Sequence, residues 1–126
     1  MSATMTALKV MPGHKPERVT IPHTLEAMQE QVGGYIQAIY PYKDPVAIIC
    51  NEEGKLRGME PNRAIRDQES KEIMDIICGP FFICGLGEED FCSLAEEQMA
   101  HYEDLFHSPE VFLWNGTNLV VLPVSA

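Results

Sequence analysis

Side chains able to hold an anion gather in one stretch of this chain. Asn62 and Arg63 follow Pro61, and Arg66 lies three positions further on. If Pro61 to Asp67 forms a short helix, Pro61 suits its first position. Arg63 and Arg66 then share one side of it, at i and i+3. Two guanidinium groups so placed can hold a carboxylate or a phosphate by forked hydrogen bonds. Asn51 and Lys55 stand upstream in Asn51-Glu52-Glu53-Gly54-Lys55 and join the cluster if that turn folds over the corner. Tyr35, with Tyr40 and Tyr42, flanks the Gly33-Gly34 break and offers a ring on which a base can stack. The candidate ligand-binding set is therefore Asn51, Lys55, Asn62, Arg63, Arg66 and Tyr35. A plainer alternative has Asn62 capping a turn, Arg63 and Arg66 paired with Asp67 or Glu69, and the tyrosines anchoring a sheet edge.

Other chemistries find less support. Nucleophilic catalysis needs Ser or Cys near His and an orienting acid. His14 and His23 fall in turns, and His101 and His107 on or just after one helical segment. There is no Gly-x-Ser-x-Gly elbow, His-Glu-x-x-His helix or Walker loop. Gly85-Leu86-Gly87-Glu88-Glu89 lacks a third glycine or a lysine, and its carboxylates would repel phosphate, so it reads as a strand-to-helix turn. Adjacent carboxylates such as Glu52-Glu53 and Glu96-Glu97 read as solvated faces. A hydrolase built on two carboxylates stays open as the enzymatic alternative. Cys50, Cys78, Cys84 and Cys92 sit in or beside apolar runs without a Cys-x-x-Cys pair, and read as reduced, buried hydrophobes rather than zinc ligands. No catalytic residue, metal or cofactor is expected.

The chain has 126 residues, enough for one domain, 1–126, with a core of its own. Acidic residues outnumber basic ones 19 to 9, for a formal charge of −10. Nine scattered cations do not make a phosphate-backbone footprint, so direct nucleic-acid binding is not expected. The carboxylate surplus either keeps the surface solvated or imitates phosphates to occupy a nucleic-acid-handling partner. No apolar run approaches the ~20 residues that cross a bilayer. Met1 to Thr6 has neither the basic start nor the apolar core of a signal peptide. A cytoplasmic protein without membrane contact is expected.

The elements that must position these residues follow from pattern. Leu8–Met11 and Glu17–Ile21 read as a hairpin. Thr24 caps a helix through Val32, with Leu25, Met28 and Val32 as its apolar stripe and Gly33-Gly34 as its stop. Tyr35–Tyr40 reads as a strand, and Val46–Cys50 as a central strand covered on both faces. Asn51 to Gly54 then turns the chain into a strand from Lys55 to Met59, with Gly54 supplying positive φ. Glu72–Cys78 fits either a helix or a strand, and Phe81–Gly85 reads as a buried strand. Ser93 and Glu96 form a capping box for a second helix whose Ala95, Met99, Tyr102 and Phe106 pack on the sheet. Asn115-Gly116 turns a C-terminal hairpin, Val111 to Leu122, whose second arm is almost wholly apolar. Strands outnumber helices and hairpins outnumber crossovers. The fold class is α+β, a mostly antiparallel sheet with two main helices and a C-terminal hairpin.

Three segments in order carry a family likeness: Val32-Gly33-Gly34-Tyr35-Ile36, the stretch Asn51 to Arg63, and Ile76 to Gly85 with Gly79-Pro80-Phe81-Phe82-Ile83-Cys84-Gly85. Together they resemble a domain-of-unknown-function family common in phages, plasmids and integrated elements of Gram-positive bacteria. The likeness spans roughly residues 7 to 106 and leaves the Asn115-Gly116 hairpin outside. Met59-Glu60 before Pro61 departs from the Leu-Pro usual there. The resemblance implies a small accessory protein of mobile DNA and supplies no activity or catalytic residues. The expected function is non-enzymatic binding that interferes with a host (defence) component, by sequestering a nucleotide-like ligand or blocking a host protein. Acidic nucleic-acid mimicry is the alternative to it. A homodimer through the C-terminal hairpin is a further expectation.

Overall fold

A computed structural model describes residues 3–124 of the protein. In chain order the elements are β1 (Thr4–Val10), β2 (Glu17–Pro22), α1 (Leu25–Val32), β3 (Ile36–Ile39), β4 (Val46–Asn51), β5 (Pro61–Arg66) and β6 (Ile73–Cys78). They continue with β7 (Phe81–Leu86), β8 (Phe91–Cys92), α2 (Glu96–Leu105), β9 (Glu110–Trp114) and β10 (Leu119–Pro123). The main sheet runs β2-β1-β7-β4-β3, with β8 added alongside the end of β7, and every pair in it is antiparallel. Two separate antiparallel hairpins, β5–β6 and β9–β10, complete an α+β architecture.

The uninterrupted apolar runs of β4 and β7 have a simple cause: both faces of the sheet are covered. Val46, Ile48 and Cys50 point to one side with Phe81 and Ile83, where Leu94, Met99, Tyr102 and Phe106 of the α2 region meet Ile65 and Ile77 of the β5–β6 hairpin. Ala47 and Ile49 point to the other side with Phe82 and Cys84, where Met28 and Val32 of α1 close over them. The period-two alternation of a strand thus feeds two cores from one sheet.

Helix α1 starts where Thr24 Oγ1 accepts the Ala27 amide at 3.1 Å and stops at Gly33, which takes the left-handed conformation at φ 78°. Its buried face is Ala27, Met28 and Val32. Leu25, expected in that stripe, is half exposed because the helix turns its first residue outward.

Several expected elements are corrected. Helix α2 begins at Glu96 rather than Ser93, because the Ser93 hydroxyl is taken by the Thr6 amide at 2.9 Å. Gln98 Oε1 accepts the Ala95 amide instead, and Leu94 rather than Ala95 enters the core. Lys55–Met59 is not a strand. Bonds from Arg57 N to Glu53 O (2.8 Å) and from Met59 N to Gly54 O (2.9 Å) wind it into consecutive turns. Positive φ falls on Gly58, at 69°, and not on Gly54. Gly54 is required for another reason: a Cβ there would collide with the Cys78 carbonyl. Pro61–Arg66 is a strand, not a helix, and Ile73–Cys78 is the strand that pairs with it. At the C-terminal hairpin the turn spans Asn115 to Asn118. Asn115 Oδ1 accepts the Thr117 and Asn118 amides at 3.2 and 2.7 Å, and Gly116 sits at φ 100°.

Candidate functional site

As a strand, β5 sends Asn62 and Arg63 into the protein rather than along a helix surface. Arg63 is 1 % exposed, and each of its five N–H groups has an acceptor. Nε donates to the Phe106 carbonyl at 3.3 Å, and one terminal nitrogen to the same carbonyl at 3.0 Å and to the His14 carbonyl at 2.6 Å. The other terminal nitrogen donates to Asn62 Oδ1 and to the Asn62 carbonyl, at 3.0 and 3.2 Å. Burial pulls the guanidinium below its usual value, with Glu110 opposing that shift. Asn62 Nδ2 in turn bridges the Val10 and Gly79 carbonyls, both at 2.9 Å. The pair is a lock joining β1, the turn before β7 and the end of α2. It has no donor left for a ligand.

The other expected ligand residues lie apart from it. Asn51 is buried: its Nδ2 donates to the Val32 carbonyl at 3.0 Å and its Oδ1 accepts the Glu53 amide at 2.8 Å. It closes the end of α1 and shapes the following turn. Arg57 adds a bond to the Gly33 carbonyl at 2.9 Å. Lys55 is exposed and pairs with Asp75 across a cleft of about 360 Å³ between the 51–56 turns and β6. Tyr35 is exposed beside Arg57 and Glu53 on a different surface. Arg66 is partly exposed and bound to Glu110 Oε2 at 3.0 Å, while Glu110 Oε1 accepts the Ala64 amide at 2.8 Å. The six residues therefore do not converge on one pocket.

A cleft of about 670 Å³ opens elsewhere, between α2, the 41–44 loop and the turn at Asp67 to Glu69. Tyr42, His101 and Tyr102 supply its aromatic wall and Met74 an apolar flank. The Tyr42 and Tyr102 rings lie 5.4 Å apart at 32°, and His101 meets Tyr102 edge-on at 4.7 Å. The Tyr102 hydroxyl donates to Asp44 Oδ2 at 3.1 Å. Burial, reinforced by the Asp44 charge, raises the Tyr102 phenol well above its ordinary value, and burial alone does the same to Tyr42. Both stay neutral at any physiological pH. Asp44, Asp67 and Glu69 edge the cleft against one cation, Lys43, which stands 3.7 Å from Glu69. A narrower cleft of about 330 Å³ shares Tyr42 and Gln68 with it and brings together two of the expected residues, Arg63 and Arg66, beside Asp104 and Glu110.

Pattern reading passed over Asp44, Gln68, Met74 and the His101–Tyr102 pair. One signal was available: a tyrosine on the sheet-facing stripe of a helix needs a partner for its hydroxyl. Asp44, in the loop after Pro41, is that partner. Among the described residues no three His, Cys, Asp or Glu side chains cluster as metal ligands, and no helix is long and apolar enough to cross a membrane.

No curated protein and no solved structure matches the chain. A family model does: the domain of unknown function DUF3846 matches residues 5–107, from β1 to just past α2, and stops short of the C-terminal hairpin. The chain belongs to the DUF3846 family.

Proposed function

We propose that this is a non-enzymatic binding protein whose cleft at Tyr42, His101 and Tyr102 takes a cationic side chain of a partner protein. The observation that carries this reading is the make-up of the cleft. Tyr42 and His101 line it over the buried Tyr102; Asp44, Asp67 and Glu69 line it too, and the one lysine there already faces a carboxylate. An arginine or lysine held over a tyrosine ring gains ~0.5–2 kcal/mol, more as the site dries. A nearby carboxylate adds a charge-assisted hydrogen bond. The phage or mobile-element setting that the sequence pattern implies makes a host component the target, and a nucleic-acid-handling host protein would present such basic side chains. Acidic mimicry and protein blocking then become one mechanism.

A nucleotide-like ligand is the second reading, favoured by the ring of Tyr42 and the nearby Arg66. It is the weaker one, because Arg63 has no free donor and Arg66 is engaged by Glu110. Calorimetric titration with arginine-containing peptides, and in parallel with cyclic and linear nucleotides, tests both. The proposal expects peptide binding that weakens at least several-fold in Asp44→Asn and in Tyr42→Ala, and that falls with salt. Nucleotide binding lost in Arg66→Ala would overturn it in favour of the second reading. Hydrolysis of any substrate that depends on a cleft carboxylate would overturn both.

A further inference from the structure

We propose that the β9–β10 hairpin is a self-association surface, and that a second copy of this chain covers its outer face. Paired residues of a hairpin share a face. Glu110, Phe112 and Trp114 lie on one side with Pro123, Val121 and Leu119. That side turns toward the domain at its base, where Glu110 reaches Ala64 and Arg66 and Pro123 lines the cleft beside them. The outer side is Val111, Leu113, Val120 and Leu122. Val111, Leu113 and Leu122 are 42, 52 and 45 % exposed, and toward the turn Trp114 and Leu119 of the other side are open as well. An isolated two-stranded hairpin is at best marginally stable in water. Open apolar surface on the order of several hundred Å² marks an interaction site rather than ordinary surface.

Charge decides which occupant fits. From Val111 to Val124 the chain carries no charged side chain, in a protein whose formal charge is −10. Over the rest of the surface acidic residues outnumber basic ones, so two copies carry like net charge. On this face they meet without repulsion, whereas a basic or acidic partner would find no complement. A two-fold dimer requires a patch that matches itself, and a flat apolar face without charge does so. Among the described residues β10 also pairs with β9 alone, which leaves its other edge to the same copy. The hairpin lies beyond residues 5–107, so dimerisation would be this chain's addition to a domain the family shares.

Sedimentation velocity on the full chain, over a range of concentrations, is the test. The expected result is a reversible dimer at the higher concentrations. Leu113→Glu and Leu122→Glu, both at exposed positions, should give monomer with an unchanged circular dichroism spectrum. A chain that stays monomeric throughout overturns the proposal, as does a dimer that persists in both folded variants. Should either variant fail to fold, hydrogen exchange of the unaltered chain reads the same surface. Amides of 111–122 should gain protection as concentration rises, and concentration-independent exchange there overturns the proposal equally.

Discussion

The Arg63 guanidinium forks onto the Phe106 carbonyl at the end of α2, with Nε at 3.3 Å and a terminal nitrogen at 3.0 Å. This puts a cation where the negative end of the helix dipole and its unsatisfied carbonyls lie. Asn51 serves α1 in a similar way, through the Val32 carbonyl. The Asn51 turn and the Asn62-Arg63 corner thus both fasten helix ends to the sheet.

Removing Arg63 should therefore cost stability. Arg63→Met leaves the Phe106 carbonyl and Asn62 Oδ1 buried without their donor, and a buried orphan costs ~1–3 kcal/mol. The expected loss is about 3 kcal/mol or more, read as a lower urea midpoint at unchanged slope. Arg63→Lys should recover only part of it, since an ammonium cannot reproduce the fork onto Phe106 while also reaching His14 and Asn62. Equal stability of Arg63→Met and the parent would refute the lock.

Gly34 should be as intolerant as its neighbour Asn51. A Cβ at Gly34 would stand 2.9 Å from Asn51 Nδ2 and 3.0 Å from an Arg57 terminal nitrogen. Arg57 can swing away, but Asn51 is buried and bonded at both ends of its amide. Gly34→Ala should cost about 1–3 kcal/mol, the range for crowding a packed site. Asn51→Ala should cost a similar amount by leaving the Val32 carbonyl bare. Combined, the two losses should add to less than their sum in a double-mutant cycle. Strict additivity would show that the close approach does not matter.

The sheet was legible in the sequence because its signals are local. Alternation, the Thr24 cap and the Gly33 stop each act within a few residues, and β1, β2, β4, β7 and α1 followed from them. The β5 strand was not legible. Pro61 and the Arg63–Arg66 spacing suit a helix, and the extended form wins only through distant partners. Asn62 bonds to Val10 and Gly79, and Arg63 to Phe106. The expected ligand cluster failed to assemble for the same reason: Arg63 and Arg66 still line one cleft, but their donors go to internal partners, and Asn51, Lys55 and Tyr35 line other surfaces. Asp44 and Tyr102, 58 positions apart, meet only through tertiary packing.

Stability should fall in alkali through the tyrosines of the cleft. Burial and Asp44 raise the folded-state pKa of Tyr102, and burial raises that of Tyr42. Unfolded, both ionise near the ordinary value of about 10. Above that pH the unfolded chain binds fewer protons than the folded one, so stability declines with rising pH. Their contribution is fully present below pH ~10 and is lost progressively above it, at up to about 1.4 kcal/mol per pH unit for each phenol. Tyr102→Phe should flatten the stability profile between neutral and alkaline pH, at some cost near neutrality where the bond to Asp44 is missing. An unchanged alkaline slope would mean that Tyr102 is not held neutral by its surroundings.

Thiol chemistry offers a readout of the same cores. Burial pushes the Cys84 thiol up to about 12, helped by Cys92 and Asp90, and the Cys50 thiol up to about 11, with Asp75 adding to the effect. Alkylation needs thiolate and access, and both residues lack each. Cys78 and Cys92 are only partly buried. With a neutral-pH alkylating reagent, Cys92 and Cys78 should be modified first. Cys50 and Cys84 should react only on the timescale of unfolding, since they lie on opposite faces of the sheet in the two cores. Arg63→Met should hasten labelling at Cys50, whose core contains Phe106, more than at Cys84, whose core is closed by α1. Equal acceleration at both would show that the α2 side does not open separately and that the domain unfolds as one unit.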